Sequence, residues 1–391
     1  CMAQQVKNSK SASKFKGTQL DLSSIAETHF LGYERLAAEG VVLGLWDNEI
    51  HIESTKAPKE YLIVFDQSPF YAESGGQVGD QGTFSGASCQ GQVTDCIKQG
   101  NIFIHKIMLD EGVISLGDQM KLEVNPRYRS SSAAHHSATH LMHAALKHVL
   151  GDHVQQKGSL VDSTKLRFDF SHPKAVSKDE LKKIESMVNM HALNNSEVTT
   201  DLMKLDDAIA SGAEAMFGEK YDDDVRVLSM SDGFSVELCG GTHVSRTGDI
   251  GMFVITNESS VSSGVRRIEA VVGAHAMELM LELRNQLQIA QGLLNVGASE
   301  VASKVKDLIT ENKSLKKGNK PNPSSPIEIK ESRHLMGDCE LLLMQVEGQN
   351  IQDLRHLIDQ HKKDQHKQCI LIVSHQDNKV VLVCGITKDL E

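Results

Sequence analysis

The 391-residue chain contains no apolar run near the ~20 residues that a membrane-spanning helix needs. No charged start followed by an apolar stretch opens it, so no secretory leader is expected. Its seven cysteines are odd in number, scattered, and never form a CxxC pair. That excludes a disulfide framework and fits a reducing, cytoplasmic setting, with thiols free unless a metal recruits one. Positive charge is also scarce: 41 Lys and Arg against 52 Asp and Glu leave a net charge of −11. A uniformly basic nucleic-acid binder is therefore excluded, and any RNA contact has to use local positive charge. Two stretches could supply it. One holds Lys7, Lys10, Lys14 and Lys16; the other holds Lys304, Lys306, Lys313, Lys316, Lys317 and Lys320. On composition alone, each reads first as a solvated face or a frayed linker.

The length suits two or three domains with real cores. The chain opens Cys1-Met2, so a fragment or a trimmed chain is expected. Residues 1–30 are polar and Lys/Ser-rich, then helix-like. From about 38 to 125 come strand signals: VVLGLW, EYLIVFD, GQVTDCI, NIFIHKIML and QMKLEVN. Turns such as Asp47-Asn48 and Gln99-Gly100-Asn101 separate them, and short strands at this spacing suggest a small barrel. SGGQVGDQG (Ser74–Gly82) reads as a loop within it.

From Ser130 the pattern becomes helical: SSSAAHHSATHLMHAALKHVL predicts a long helix, capped by its serines and closed by Gly151. Strand-like GSLV and LRFDFS follow, then a helix opened by a capping box from Ser177 to Glu180. VTTDLMKL, DVRVLSM, GMFVITNES and VRRIEAVVG complete an α+β layer. Helical periodicity from His275 to Leu294 and from about Glu300 to Lys317 predicts a coiled arm, and GNKPNPSSP (Gly318–Pro326) a linker. The remainder, CELLLMQV, IQDLRHLIDQHKK, QCILIVSH and KVVLVCGI, reads as a small α/β unit.

Two short motifs carry the chemistry. HHSATHLMH gives His136 and His140, four apart and so on one helical face. ELCGGTH gives Cys239 and His243 around Gly240 and Gly241, which allow a tight turn toward one point. Three His and one Cys form a borderline-soft donor set that suits tetrahedral Zn2+. Five histidines (135, 136, 140, 143 and 148) crowd the helix, and a lone His is more often packed or exposed than a ligand. The second cluster tips the balance toward a metal.

HHSATHLMHAALKHVLGDHVQQKGSLV, followed by RFDFSH, FGEKY, ELCGGTHV, RTGDIG and GVRRIEAV, resembles the editing region of bacterial alanyl-tRNA synthetases. SPFYAESGGQVGD extends the resemblance upstream. It implies an α+β fold: a small β-barrel, a zinc-containing editing core, a helical coiled arm and a truncated small α/β C-terminal domain. The corresponding divisions are 1–30 (end of a preceding tRNA-recognition helical region), 31–127 (barrel), 128–274 (editing core), 275–320 (arm and linker) and 321–391 (partial C-terminal tRNA-binding domain). The last is expected to be truncated, because it stops before the Gly-rich segment usual in the family.

The resemblance also implies one zinc per chain on His136, His140, Cys239 and His243, with the other histidines packing or orienting the ligands. The implied substrate is the 3′-terminal adenosine of tRNA(Ala) carrying serine or glycine, and the implied reaction is hydrolysis of that ester. A pocket shaped for alanine cannot exclude glycine and rejects an added hydroxyl only weakly. A second site that hydrogen-bonds the hydroxyl discriminates better, because alanine leaves its polar partner unpaired. Thr139 and Gln156 are candidates for lining that pocket beside Cys239. The plainer readings are that Thr139 bonds back to its own turn and that Gln156 is an exposed loop residue.

Gly75, Gly76 and Gln77 could approach the terminal adenosine or form a simple barrel turn. Arg246, Arg266 and Arg267 could contact phosphates or make ordinary ion pairs. Four protein ligands normally mark a closed, structural zinc, so catalytic and structural roles both stay open.

Two departures from the family stand out. His135 replaces the usual Asn and adds a competing donor, and SDGFSVELCGG is one residue longer than usual. No segment resembles the class II aminoacylation core. ATP and alanine activation are therefore expected of the full-length alanine–tRNA ligase and not of this chain. The alternatives are a free-standing AlaX-type deacylase, a non-catalytic zinc-stabilised tRNA-binding module, and a threonyl-tRNA synthetase editing domain. The Lys-rich start and the arm favour a synthetase fragment; CGGTH and FYAESGGQ favour the alanyl family. Expected partners are the mischarged acceptor end of tRNA(Ala), no membrane, and a second copy through the C-terminal region.

Overall fold

The computed structural model describes residues 20–215, 222–318, 329–347, 349, 351–362, 367–376 and 379–390. The lysines of the first twenty residues, FGEKY, Lys320 and the linker beyond Gly318 lie outside them. The chain divides into two compact units, Cys1–Arg284 and Asn285–Glu391.

The first unit opens with strands β1 (His29–Phe30), β2 (Ala37–Asp47), β3 (Ile50–His51), β4 (Glu60–Phe65), β5 (Gln67–Ser68), β6 (Gly82–Ser85), β7 (Gln90–Gln99), β8 (Ile102–Glu111) and β9 (Gln119–Val124). Antiparallel pairing runs β2-β4-β8-β7-β6-β9, and β9 pairs back onto β2, which closes a six-stranded barrel. Alternation drives it: β9 reads QMKLEV with Met120, Leu122 and Val124 buried between exposed neighbours. Leu45, Ile63, Phe65, Phe84, Ile107 and Leu122 fill the interior.

Residues 20–30, expected to be helix-like, instead form turns and β1. The Asp21 carboxylate accepts from the Ser23 N–H (3.1 Å) and hydroxyl (2.7 Å), an Asx turn that opposes helix. Leu20 and Leu22 then dock with Trp46, Leu62, Val64 and Ile104.

Helix α1 (Pro126–Leu150) begins before the expected serines. Asn125 is the cap: its side-chain oxygen accepts from the N–H of Arg127 (3.0 Å) and Tyr128 (3.2 Å), and Pro126 supplies the first helical position. Ser130, Ser131 and Ser132 therefore lie inside the helix. Gly151, at φ 115°, closes it as expected. Buried Arg129 anchors α1 to the barrel by donating to the Asp80 carboxylate and to the carbonyls of Gly32 (2.5 Å) and Pro69 (2.8 Å).

There follow β10 (Gln156–Val161), β11 (Leu166–Ser171), α2 (Lys178–Leu193), β12 (Thr199–Lys204), α3 (Leu205–Ala210), β13 (Asp224–Met230), β14 (Ser235–Leu238), β15 (Phe253–Ser262) and β16 (Val265–Val272). The antiparallel sheet β10-β11-β16-β15 carries α1 and α2. Leu141, Met142 and Leu146 from α1 and Ile184 and Val188 from α2 meet Phe168, Phe170 and Ile268. The Ser177–Glu180 capping box closes α2 at both bonds, 2.8 and 3.2 Å. A second sheet, β12-β13-β14, delivers the segment after Leu238.

Helix α4 (Gly273–Leu294) and helix α5 (Val301–Gly318) come next. Met280, Leu283 and Leu287 on α4, and Leu308 and Leu315 on α5, are exposed apolar positions at helical spacing. The second unit contains β17 (Lys330–Met336), β18 (Cys339–Glu347), α6 (Ile351–His361), β19 (Gln368–Gln376) and β20 (Lys379–Ile386) in one sheet, order β17-β18-β19-β20. Parallel β18 and β19 are joined through α6, and Leu342, Met344, Leu354, Ile358 and Ile370 form their core. Among the described residues, no helix is long and apolar enough to cross a membrane.

Candidate metal centre

His136 and His140 sit one turn apart on the buried face of α1. Cys239 and His243 follow β14. One donor atom from each of the four lies within 4.8 Å of all the others. The Cys239 Sγ is 3.6 Å from His136 Nε2 and 3.2 Å from His243 Nε2. The three imidazoles have centroids 4.5 to 5.1 Å apart.

The outer nitrogens explain why these rings point inward. His136 Nδ1 lies 2.8 Å from Gln77 Oε1, and His140 Nδ1 lies 2.7 Å from Glu237 Oε2. A carbonyl and a carboxylate accept, so both Nδ1 atoms donate and both Nε2 atoms face the cluster, where an ion would take their lone pairs. His243 Nδ1 lies 3.1 Å from the Ser137 hydroxyl. Gln77 is locked in turn: its Oε1 accepts from the Thr242 N–H (3.0 Å) and its Nε2 donates to Thr242 Oγ1 (2.8 Å). Glu237 also holds His143, whose Nδ1 is 3.1 Å from its other oxygen. His140 Nε2 is buried without a hydrogen-bond partner. Such an atom costs on the order of 1–3 kcal/mol, and an ion among the four donors would satisfy it. The residues therefore fit zinc.

Burial pushes the Cys239 thiol up, but the imidazoles of His136, His243 and His140 outweigh it and hold the thiol well below its ordinary range. Burial takes His243 down to about 3, against the pull of Cys239. For His140, burial is outweighed by Glu237 and Cys239, which hold the proton on it. For Glu237, burial is outweighed by His140 and His143, which hold it well below the carboxylate range. An ion binding here would displace the imidazole proton.

The two glycines differ from expectation. Neither is in the left-handed region. A Cβ on Gly241 would overlap His136 Cε1 and Nδ1 and come within 3.1 Å of Gln77 Oε1, whereas one on Gly240 meets only Tyr33 Oη at 3.9 Å. Close approach, not turn geometry, requires the second glycine.

The remaining candidates are dispersed. His135 is not a competing ligand: its Nδ1 is 2.8 Å from the Ser131 carbonyl and its Nε2 accepts from the Val272 N–H (3.2 Å). Burial holds it down to about 4, a neutral bracket between α1 and β16. The Thr139 hydroxyl donates to the His135 carbonyl (2.9 Å). Gln156 is the first residue of β10, half-buried, and borders a cavity of about 270 Å3 with His143, Lys147, Glu214 and Glu237. Gly75 and Gly76 take left-handed φ values of 56° and 87°, and Gly76 packs on Ser159. Their loop is pinned to β10, with the Val161 N–H donating to the Gly76 carbonyl (2.7 Å).

Gln77 was expected as an RNA contact, but it is fully buried and its amide is taken up by the cluster. Arg246 is held by the Asn195 side chain (3.2 Å) and carbonyl. Arg266 pairs with Glu258 (2.6 Å), and Arg267 with both oxygens of Asp169 (2.6 and 2.7 Å).

Sequence reasoning missed Tyr33 and Arg226. The Tyr33 hydroxyl donates to the Gly240 carbonyl (2.6 Å). The Arg226 guanidinium lies 3.4 Å over the Tyr33 ring and donates to the Gly241 carbonyl (3.3 Å). The Arg226 carbonyl accepts from the Cys239 N–H (3.0 Å). Glu237 was missed too, although an acid two residues before a ligand was a signal.

Residues 1–128 match the family described as tRNA synthetases class II (A), and residues 225–269 match the threonyl and alanyl tRNA synthetase second additional domain. Much of the first matched segment builds the barrel. The chain is 43% identical over 400 residues to the alanine–tRNA ligase of Saccharophagus degradans, covering 99% of this chain and 45% of that protein. It is 42% identical over 390 residues to that of Rhodopseudomonas palustris (94% and 43% covered). It is 42% identical over 400 residues to that of Ruthia magnifica (100% and 46% covered). The chain thus spans slightly under half the length of these relatives.

Proposed function

We propose, for a chain that carries alanyl-tRNA synthetase family sequence over nearly its whole length, hydrolysis of mischarged Ser-tRNA(Ala) and Gly-tRNA(Ala) at a zinc centre. The observation that carries this reading is the four-donor cluster with its imidazoles held from outside and one inner nitrogen without a partner. When bound, zinc would supply a fixed positive charge that polarises the ester or holds the substrate's amino group. The chain's own residues do the rest. Gln77, Glu237 and Ser137 fix the ring orientations. Thr139 spends its proton on the His135 carbonyl, so its oxygen keeps only acceptor capacity. That suits a seryl O–H and offers nothing to an alanyl methyl. Gln156 and the cavity beside Glu237 would accommodate the aminoacyl group.

Residues 31–127 and 128–274 serve on this reading as barrel and editing core, with 275–320 as arm and 321–391 as a tRNA-binding part. Aminoacylation with ATP belongs to the full-length ligase, acting in the cytoplasm. A second reading, a closed structural zinc in a tRNA-binding module, is favoured by the complete set of four protein donors.

The test is release of serine from Ser-tRNA(Ala), with Ala-tRNA(Ala) as control, with and without a chelator. Selective, chelator-sensitive release supports a hydrolytic centre. No release from a chain holding one zinc supports the structural reading.

A further inference from the structure

Phosphate contacts need a cation without an acid partner, and the three arginines singled out by their motifs do not offer one freely. Arg266 and Arg267 are paired with carboxylates; Arg246, though without a carboxylate partner among the described residues, gives its hydrogen bonds to the Asn195 side chain and carbonyl. Arg226 is different. It is half-buried, its guanidinium lies on the Tyr33 ring, and its hydrogen bond goes to a neutral carbonyl, that of Gly241. Among the described residues no carboxylate pairs with it. The ring and the neutral carbonyl hold the guanidinium without neutralising it, so its remaining N–H groups are available to an anionic ligand.

Its place is equally specific. Gly241 is two residues from Cys239 and two from His243, so Arg226 lies at the edge of the donor set. Tyr33 braces it from the barrel side and holds the neighbouring Gly240 carbonyl. An arginine stacked on an aromatic ring is pre-organised, and its planar fork matches phosphate oxygens.

We propose that Arg226, braced on Tyr33, is the contact for the phosphate of the terminal nucleotide whose ribose carries the aminoacyl ester. This rests on the deacylase reading. On this reading the ester sits at the cluster, and the 5′-phosphate of the same nucleotide, one ribose away, is the nearest phosphate to a guanidinium at the cluster's edge. The guanidinium would set the register of the RNA end, and the metal centre would act on what that register delivers.

The experiment uses the whole chain and the variants Arg226→Gln and Arg226→Lys. Four quantities are measured: KM and kcat for Ser-tRNA(Ala), binding of uncharged tRNA(Ala) across a salt series, and zinc content. For Arg226→Gln the expectation is a KM raised roughly tenfold, a smaller effect on kcat, and a salt slope shallower by about one phosphate contact. Arg226→Lys should keep most of that slope. An unchanged slope and KM in Arg226→Gln would overturn the proposal. So would loss of zinc and kcat at unchanged KM, which would make Arg226 only a brace for the Cys239 turn. If the wild-type chain binds tRNA but hydrolyses nothing, the deacylase reading falls while the salt slope still decides Arg226. No tRNA binding by the wild-type chain overturns both.

Discussion

Gly241→Ala is the sharpest perturbation the metal centre offers. The added Cβ would overlap the His136 ring by more than ~1 Å against the ~3.5 Å at which carbon atoms rest comfortably. The ring has nowhere to go. It is tied to Gln77 at 2.8 Å, and its helix is buried over this stretch. The turn must therefore retreat, and it carries Cys239 and His243 with it. Overpacking of this kind typically costs about 1–3 kcal/mol of stability. Displacing two of four donors should lower zinc affinity by at least the ~10–100-fold seen when outer contacts of a metal site are removed. Competition with a chromophoric chelator measures the affinity, and thermal unfolding the stability. Gly240→Ala is the control: its Cβ has open space to 3.9 Å and no left-handed φ to defend, so it should bind zinc like the wild type. If Gly241→Ala binds zinc as tightly as Gly240→Ala, the close-approach argument is wrong.

Glu237→Gln should weaken zinc binding about 10–100-fold by freeing His140, and unchanged affinity in the same competition would remove the positioning role. Asp80→Asn leaves the buried Arg129 without its carboxylate and should cost about 3–5 kcal/mol in urea unfolding; a loss below ~1 kcal/mol would refute it. His105 is fully buried in the barrel beside Ser68 (2.7 Å), and burial pushes it down to about 4. Unfolded, it titrates near ~6.5, so between the two values only the unfolded chain takes the proton. Stability should thus fall as pH drops through this window, by about 2 kcal/mol between pH ~7 and ~5 from this group. His105→Phe should remove that part of the pH dependence; an identical slope in both proteins would refute it.

What could be read in the sequence was what is local. The i, i+4 spacing of His136 and His140 and the CGGTH turn each bring two donors together within a few residues. A continuous apolar run made β4 legible, and strict alternation made β9 so. β6 is four residues beginning with Gly82, and β17 is exposed at every position, so neither offers an apolar period to find. Ser130–Ser132 resembled caps, but Pro126 had already fixed the first turn, and Asn125 satisfied its amides. The groups that orient the rings were invisible for a different reason. Gln77 is 59 residues from His136, and Glu237 is 97 from His140. No short motif spans that distance, and whether an arginine has an acid beside it is decided only by folding.

Gln77 comes from the barrel, His136 from the helix after it, and Thr242 from the turn that follows β14. A single carboxamide thus records whether three stretches of chain have found one another. A shorter protein cut to begin at Pro126 would keep every candidate ligand and still lose the amide that turns the first imidazole inward. In such a fragment metal uptake would report on assembly, not on sequence, and the barrel would be the part whose absence it detects.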